Sequence, residues 1–395
     1  MTKPNDLSIS YPTLHWVEDE QACSARWRSE NGVLPPKRVV IGDDTLTADS
    51  AYRLASEGTG ILWRGDFQNA RQLLQALARR TDRPSKKALK KAGKTTVSMT
   101  EAFHLHRQAQ SQRSRTLGML LIPFNADHSV PLRRAPDVSQ ACHGSYGDVQ
   151  EPYVASLREL LGLISAHEWR KKGVEIPALQ GDGPQRIHPH YGVFAPVRAD
   201  YVPLVAQAPL PAALASNSLA FDIGTGTGVL AAVLAQRGVK KVVGTDQDPR
   251  ALACARENLA RLGLAKAVEV RDVDMFPEGR AALVVCNPPW VPARPSSSIE
   301  HAVFDPESRM LRAFLSGLAA HLAAGGEGWL VLSDFAEHLG LRSREALLEM
   351  IAAGGLKVVG RIDAQPSHPK AFDVSDPLHA ARAAELTTLW RLVAQ

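Results

Sequence analysis

Short apolar runs ending in polar turns recur along the chain, and from Leu219 onward the alternation becomes regular. Leu219-Ala-Phe-Asp222-Ile223 leads into a glycine-rich turn, Lys241-Val-Val-Gly-Thr-Asp246 ends in a carboxylate, and Leu283-Val-Val-Cys286 delivers Asn287-Pro288-Pro289-Trp290. Runs of this length, bounded by turn formers, predict strands. Further strands are expected at Ala267–Arg271, Ala281–Cys286, Gly328–Leu332, Leu356–Ile362 and Leu386–Val393. Between them the spacing predicts helices over Val229–Gln236, Pro249–Leu262 and Ser343–Ala352, and one over Glu307–Leu322 stopped by Gly325-Gly326. The second has proline in its first turn and Gly263 after its last, the usual start and stop. The pattern is that of an α/β fold, a doubly wound, mostly parallel sheet of seven strands, the last antiparallel and at the edge. Such sheets bind ligands at the carboxyl ends of their strands.

The first half is less regular. Residues 1–35 are polar and mixed and are expected at the periphery. Arg38–Gly42 and Gly60–Trp63 read as strands, Asp49–Ser56, Asn69–Arg80, Thr100–Arg115 and Glu159–Lys172 as helices. A shorter, degenerate α/β unit over residues 38–125 is compatible with this, so residues 1–180 are expected to form an α/β or α+β domain. Gln180-Gly-Asp-Gly-Pro184 then reads as a hinge before a second domain, residues 181–395. The next stretch, running through His190, Tyr191, Phe194, Pro196, Arg198 and Tyr201, is either an irregular connector or a wall of the site.

Charge sharpens this division. The net charge is +5, yet residues 1–180 carry 25 Lys and Arg against 19 Asp and Glu, whereas residues 181–395 carry 21 against 22. The basic excess belongs to the N-terminal half, which suggests a substrate- or partner-binding region beside a catalytic one. Eight of the basic residues fall between Arg79 and Lys94, among them Lys86, Lys87, Lys90 and Lys91, with Asp82 as the one acid. This run is a solvated loop or a contact for an acidic partner such as nucleic acid, and its lack of aromatic residues weighs against base stacking. Four scattered cysteines, with no CxxC pair, support neither disulfides nor zinc, and His104 and His106 lie on different helix faces, so no metal site is expected. No apolar run is long enough for a membrane span and the N-terminus lacks the core of a signal peptide, so the expected location is the cytoplasm and no membrane partner is expected.

The chemistry concentrates in two motifs. Gly224, Gly226 and Gly228 allow a tight turn and a close backbone approach, with Thr225 between them. Their spacing is GxGxG, with Val229 where a dinucleotide fingerprint needs its third glycine. Asp222, just before the turn, would repel a pyrophosphate but suit a cation, and S-adenosylmethionine carries a sulfonium and an ammonium and no phosphate. Asp246, 22 residues past Gly224, is placed to hold ribose hydroxyls. The second motif presents two acceptors, the Asn287 side-chain oxygen and the Pro288 carbonyl, to one NH2 group, while Trp290 offers a flat face to a planar group. Holding both N–H bonds turns a nitrogen lone pair toward an electrophilic methyl, which is positioning catalysis without a covalent intermediate.

At these residues, 186–395 resembles a class I, Rossmann-like S-adenosylmethionine-dependent methyltransferase of the small methyltransferase domain group. The Asn-Pro-Pro-aromatic motif is shared by release-factor glutamine methyltransferases and by amino-methyltransferases acting on adenine or guanine. The resemblance implies cofactor contacts at Asp222, Gly224, Thr225, Gly226, Gly228 and Asp246, and an adenine-flanking role for Asp274 and Met275 in Asp274-Met-Phe-Pro277. It implies that Asn287, Pro288 and Trp290 handle the substrate nitrogen. Phe194, Pro196 and Arg198 resemble the proline–arginine segment that precedes the domain in the glutamine enzymes. Two departures stand out: Trp290 replaces the usual Tyr or Phe, and residues 1–180 do not resemble the small helical domain of the glutamine enzymes. The long first half is more similar to ribosomal RNA guanine-N2 enzymes with an extra degenerate domain. The acceptor implied is therefore a macromolecule carrying a planar NH2. A protein glutamine is weighted by Pro196 and Arg198, whereas an RNA or other nucleic-acid base (guanine N2 or adenine N6) is kept open by the basic half. A binding module that retains the fold without catalysis is the outside alternative.

Overall fold

The computed structural model describes residues 12–82, 97–197, 200–295, 300, 302–366 and 369–395. The basic stretch 83–96, with Lys86, Lys87, Lys90 and Lys91, and also Arg198, lie outside the described residues. The chain forms two compact units, one of Met1–Thr96 with Arg107–His167 and one of Val97–His106 with Glu168–Gln395.

In the first unit, β1 (Thr13–Glu18) and β2 (Gln21–Trp27) form a hairpin, followed by β3 (Arg38–Gly42), β4 (Thr59–Trp63), β5 (Leu120–Phe124) and β6 (Tyr153–Ser156). They make a six-stranded sheet in the order β1-β2-β6-β5-β4-β3, in which β3, β4 and β5 run parallel. The helices expected near 49–56 and 69–80 are present at Ala48–Ser56 and Phe67–Thr81, the second capped by Asp66, whose side chain accepts from Gln68 N. The hairpin, β5 and β6 were not expected. Leu120-Leu-Ile-Pro-Phe124 is apolar throughout because it is buried on both faces, and a proline in the run masks a strand that accommodates it.

In the second unit, β7 (Val174–Glu175) and β8 (Arg186–Ile187) pair antiparallel, and Gln180–Pro184 lies in the loop between them. Gln180 exchanges two hydrogen bonds with the Gln236 side chain. The main sheet then takes β9 (Leu219–Ile223), β10 (Lys241–Asp246), β11 (Val268–Asp272), β12 (Ala281–Cys286), β13 (Leu322–Ser333), β14 (Leu356–Ala364) and β15 (Thr387–Ala394). Its order is β11-β10-β9-β12-β13-β15-β14, parallel from β11 to β13. The last strand is antiparallel as expected but is not the edge. It lies between β13 and β14, bonded to both, and β14 is the edge. The alternation of β14 between buried and exposed positions shows that one of its two faces is covered, whereas Thr387–Trp390 of β15 is buried throughout. Nor do Gly325 and Gly326 end a helix outside the sheet; the helix stops at His321 and β13 already includes both glycines.

The strands alternate side chains between two apolar layers. Ala220, Val242, Leu283 and Val285 face the layer with helices Tyr201–Gln207 and Val229–Gln236; Phe221, Ile223, Val243, Val284 and Cys286 face helices Arg309–His321 and Arg344–Ala353. Full burial of each such branched or aromatic side chain contributes roughly 1.5–3 kcal/mol. Strand order reverses at β9: β10 and β11 lie on one side, β12 and β13 on the other. The carboxyl end of β9 is therefore the switch point where an open α/β sheet leaves a crevice.

Candidate active site

Four strand ends bring the motifs together. In the register, Ile223 of β9 is paired with Thr245 of β10 and Cys286 of β12, so Gly224, Asp246 and Asn287 follow on three adjacent strands. Asp246 is in turn paired with Asp272 of β11, placing Asp274 and Met275 just beyond.

The glycine turn is held from beneath by Asp222. Its carboxylate is 1% exposed, and Oδ2 accepts from Thr225 Oγ1 at 2.7 Å and from Ala231 N at 3.1 Å. Thr225 N donates to Thr245 O, and Gly228 N to Thr225 O, both at 2.8 Å. Gly224, Gly226 and Gly228 have φ of 71°, 55° and 81°, a region that only glycine enters freely. A Cβ on Gly224 would lie 2.6 Å from Met310 Cε. Burial pushes the Asp222 carboxyl up to about 6, the Thr225 and Ala231 bonds pull it down, and the Asp246 charge raises it further. A buried carboxylate with two neutral donors, and with no cation paired to it among the described residues, makes the turn a place where positive charge is favoured.

Asp246 accepts from Gly226 N and from Asp248 N, each at 3.0 Å, and burial raises its pKa despite those bonds. The segment after β11 is tied to the same strand end. Thr245 Oγ1 donates to Met275 O at 2.6 Å, Gln247 Nε2 donates to Asp274 Oδ1, and Met275 has φ of 62°.

Cys286, fully buried, has its thiol pushed far up by burial and is a packing residue. Asn287 emerges from the end of β12, and its Oδ1 accepts a 2.8 Å hydrogen bond from the Trp290 indole Nε1. Pro288 is buried, and Trp290 is partly buried. The Trp290 carbonyl accepts from Arg342 Nη2 at 3.4 Å.

Phe194 packs against the apolar layer around helix Val229–Gln236, and Pro196 is buried. Arg198 lies outside the described residues. The preceding residues attach to helix Pro249–Arg261, which follows Asp246. Val193 packs on Ala251 and Cys254, the Arg250 guanidinium lies over the Tyr191 ring at 5.7 Å, and His190 Nε2 is 2.9 Å from Glu257. Asn258, which sequence reasoning missed, joins this segment to the glycine turn: Oδ1 accepts from His188 N at 2.8 Å and Nδ2 donates to Thr227 O at 3.1 Å. Missed too were Asp305, whose carboxylate caps Met310 N and Leu311 N, and Arg342. So was Phe103, which packs with Val291, Phe335 and Leu339. No pattern in the sequence marks these residues, because their positions are set by tertiary packing alone.

The strand order, the glycine turn with its buried acid and the Asn-Pro-Pro-Trp strand end define a class I methyltransferase domain. Residues 185–351 match the family model "Methyltransferase small domain", and this stretch of the chain is such a domain. A release factor glutamine methyltransferase from Cereibacter sphaeroides is 37% identical over 150 residues, which is 36% of this chain and 50% of that protein. Another from Vibrio cholerae is 31% identical over 201 residues, covering 46% and 66%. A ribosomal protein L11 methyltransferase from Symbiobacterium thermophilum is 41% identical over 71 residues, covering 18% and 23%. A solved structure, the ribosomal protein L11 methylase of Lactobacillus delbrueckii subsp. bulgaricus, aligns with a TM-score of 0.35 at 16% identity over 53% of this chain and 86% of that one. The chain spans between about half and two thirds of the glutamine methyltransferases it resembles.

Proposed function

We propose that residues 181–395 bind S-adenosylmethionine at the carboxyl end of β9 and transfer its methyl group to the side-chain amide nitrogen of a protein glutamine. The carrying observation is the register that sets the glycine turn, Asp246 and Asn287 on adjacent strand ends around the switch point. The site fits this cofactor: the turn is open beside Gly226, where a Cβ would meet nothing nearer than the Gly224 carbonyl at 4.0 Å, and the nearby buried carboxylate is paired with no cation among the described residues. When bound, the cofactor supplies an electrophilic methyl group.

Asp246 accepts from ribose hydroxyls through the lone pairs that Gly226 and Asp248 leave open, and Asp274 and Met275 flank the adenine. Asp222 stabilises positive charge beyond the turn. At the substrate side, Asn287 Oδ1 has one lone pair engaged by Trp290 and one left for a substrate N–H; the Pro288 carbonyl takes the other N–H. Fixing both orients the nitrogen for attack and stabilises the positive charge it gains as the new bond forms; the proton it sheds passes to water, since the two amide oxygens accept hydrogen bonds but are too weak as bases to keep it. A glutamine is favoured because three glutamine methyltransferases match at 32–37% identity over 150–179 residues, whereas ribosomal protein L11 methyltransferases match at 35–41% over only 71–96 residues or at 28% over 207. Phe194 and Pro196 then stand on the substrate side, and Arg198, outside the described residues, is assigned a role in binding the substrate.

Residues 1–180 act as the substrate-binding region. Neutralising Lys86, Lys87, Lys90 and Lys91 leaves cofactor affinity unchanged and weakens the substrate. An RNA acceptor would show itself as a steep salt dependence flattened by these changes. The test of the whole reading is transfer of tritiated methyl from the cofactor into an extract of a strain lacking the gene, followed by separation of protein from RNA. Label in RNA alone contradicts a glutamine acceptor.

A further inference from the structure

We infer that Trp290 is a positioning residue that orients the Asn287 amide, an inference that rests on Asn287 facing the nucleophilic nitrogen. The Trp290 indole N–H donates to Asn287 Oδ1 at 2.8 Å across the Pro288-Pro289 pair. An indole nitrogen only donates, so the amide atom it meets must be the oxygen. The interaction therefore chooses between the two flip states of the asparagine side chain. With the oxygen held, its second lone pair points where the substrate N–H needs an acceptor; with the amide flipped, an NH2 would confront another NH2.

The donor is itself fixed. Two prolines restrict the backbone between the partners. The Trp290 ring packs against the apolar layers on both faces of the sheet and against the cluster of Phe103, Val291 and Phe335. Its carbonyl is held by Arg342, which is 7% exposed, also reaches Ser308 Oγ at 3.4 Å, and has a buried Nε with no hydrogen-bond partner among the described residues. A buried guanidinium left partly unsatisfied is costly, and here it secures the backbone that carries the indole. A phenylalanine at 290 would keep an aromatic face and lose the orienting donor.

The experiment uses the full chain with S-adenosylmethionine and a purified bacterial peptide-chain release factor. Trp290→Phe is expected to lower kcat about tenfold, the scale of one hydrogen bond, with KM and cofactor Kd changed less than about twofold. Because the tryptophan acts through the asparagine, Asn287→Ala and Asn287→Ala/Trp290→Phe are expected to share one rate, whereas independent roles multiply their losses. A second measurement needs no turnover: the indole N–H resonance identified by its loss in Trp290→Phe shifts upfield in Asn287→Ala, reporting the broken bond. Multiplied rate losses, a Trp290→Phe enzyme with wild-type kcat, or an indole resonance unmoved by Asn287→Ala each overturn the inference. A wild-type chain that binds the cofactor and transfers nothing to the release factor removes the glutamine reading instead, and the indole resonance then decides the inference.

Discussion

Asp222→Asn separates the two tasks of the buried acid. The asparagine oxygen can still accept from Thr225 Oγ1 and Ala231 N, the two partners of Asp222 Oδ2, so the turn keeps its brace while losing its charge. In the native protein, burial lifts this carboxyl from 3.8 to about 6. Each unit is worth about 1.4 kcal/mol, so ionising Asp222 in the folded chain costs up to about 3 kcal/mol relative to the unfolded one. The folded-state pKa is raised, so this contribution is fully present below about pH 4 and is lost as the pH climbs through about 6. Without cofactor, wild type is expected to lose stability relative to Asp222→Asn between pH 5 and pH 8, a difference measured by urea unfolding at both. Cofactor affinity moves the other way. A cationic ligand deprived of its carboxylate is expected to bind about 1.5–3 kcal/mol more weakly by calorimetry at pH 8. The same linkage weakens wild-type binding as the pH falls through about 6. A mutant with wild-type Kd and the wild-type pH dependence of unfolding would refute both halves of this reasoning.

Asp246→Ala is expected to weaken cofactor binding by about 1–3 kcal/mol, since ribose hydroxyls lose a charged acceptor; an unchanged Kd in a folded mutant removes the assignment. Gly228→Ala forces a left-handed backbone at φ 81° and sets a Cβ 3.3 Å from Ala255, so Tm should drop with a stability loss of about 1–2 kcal/mol. Arg391→Leu leaves Glu327, 8% exposed, without its two-bond partner, and should cost about 3 kcal/mol in urea unfolding at pH 7 with cofactor affinity unaffected.

The strands of the second unit were legible because a parallel sheet covered on both faces writes itself as apolar runs, and Asp222, Asp246 and Asn287 each stand where such a run ends. Pairing is less legible. Leu356–Ala364 and Thr387–Ala394 have similar lengths, and nothing in either run says which of the two pairs with β13 and which is left at the edge. Glycines suggested a helix stop at 325 and 326, yet strand β13 runs through them, where a Cβ on Gly326 would crowd the Ala281 carbonyl. In the first unit the tight Asp19-Glu20 turn uses left-handed non-glycine residues, so the hairpin carries no Asn-Gly or Asp-Gly signal. At the site, the residues that chemistry demands were visible, whereas Asn258, Asp305 and Arg342 were not. Each of them holds backbone groups, and any position can supply that if the fold brings it near.

The central claim is that Asn287 orients a nucleophilic NH2 and does not hold up the fold. Its most direct test is a rapid-quench single turnover, with cofactor and a purified release factor saturating, of wild type, Asn287→Asp and Asn287→Ala. The alanine variant is expected to lose about 10²-fold or more in rate, the scale of a lost positioning contact, while the aspartate variant, which keeps the acceptor, loses less. Tm and cofactor Kd should stay near wild type in both, and the product should be glutamine methylated on its side-chain nitrogen. Full single-turnover activity in Asn287→Ala would mean that Asn287-Pro288-Pro289-Trp290 is only a turn.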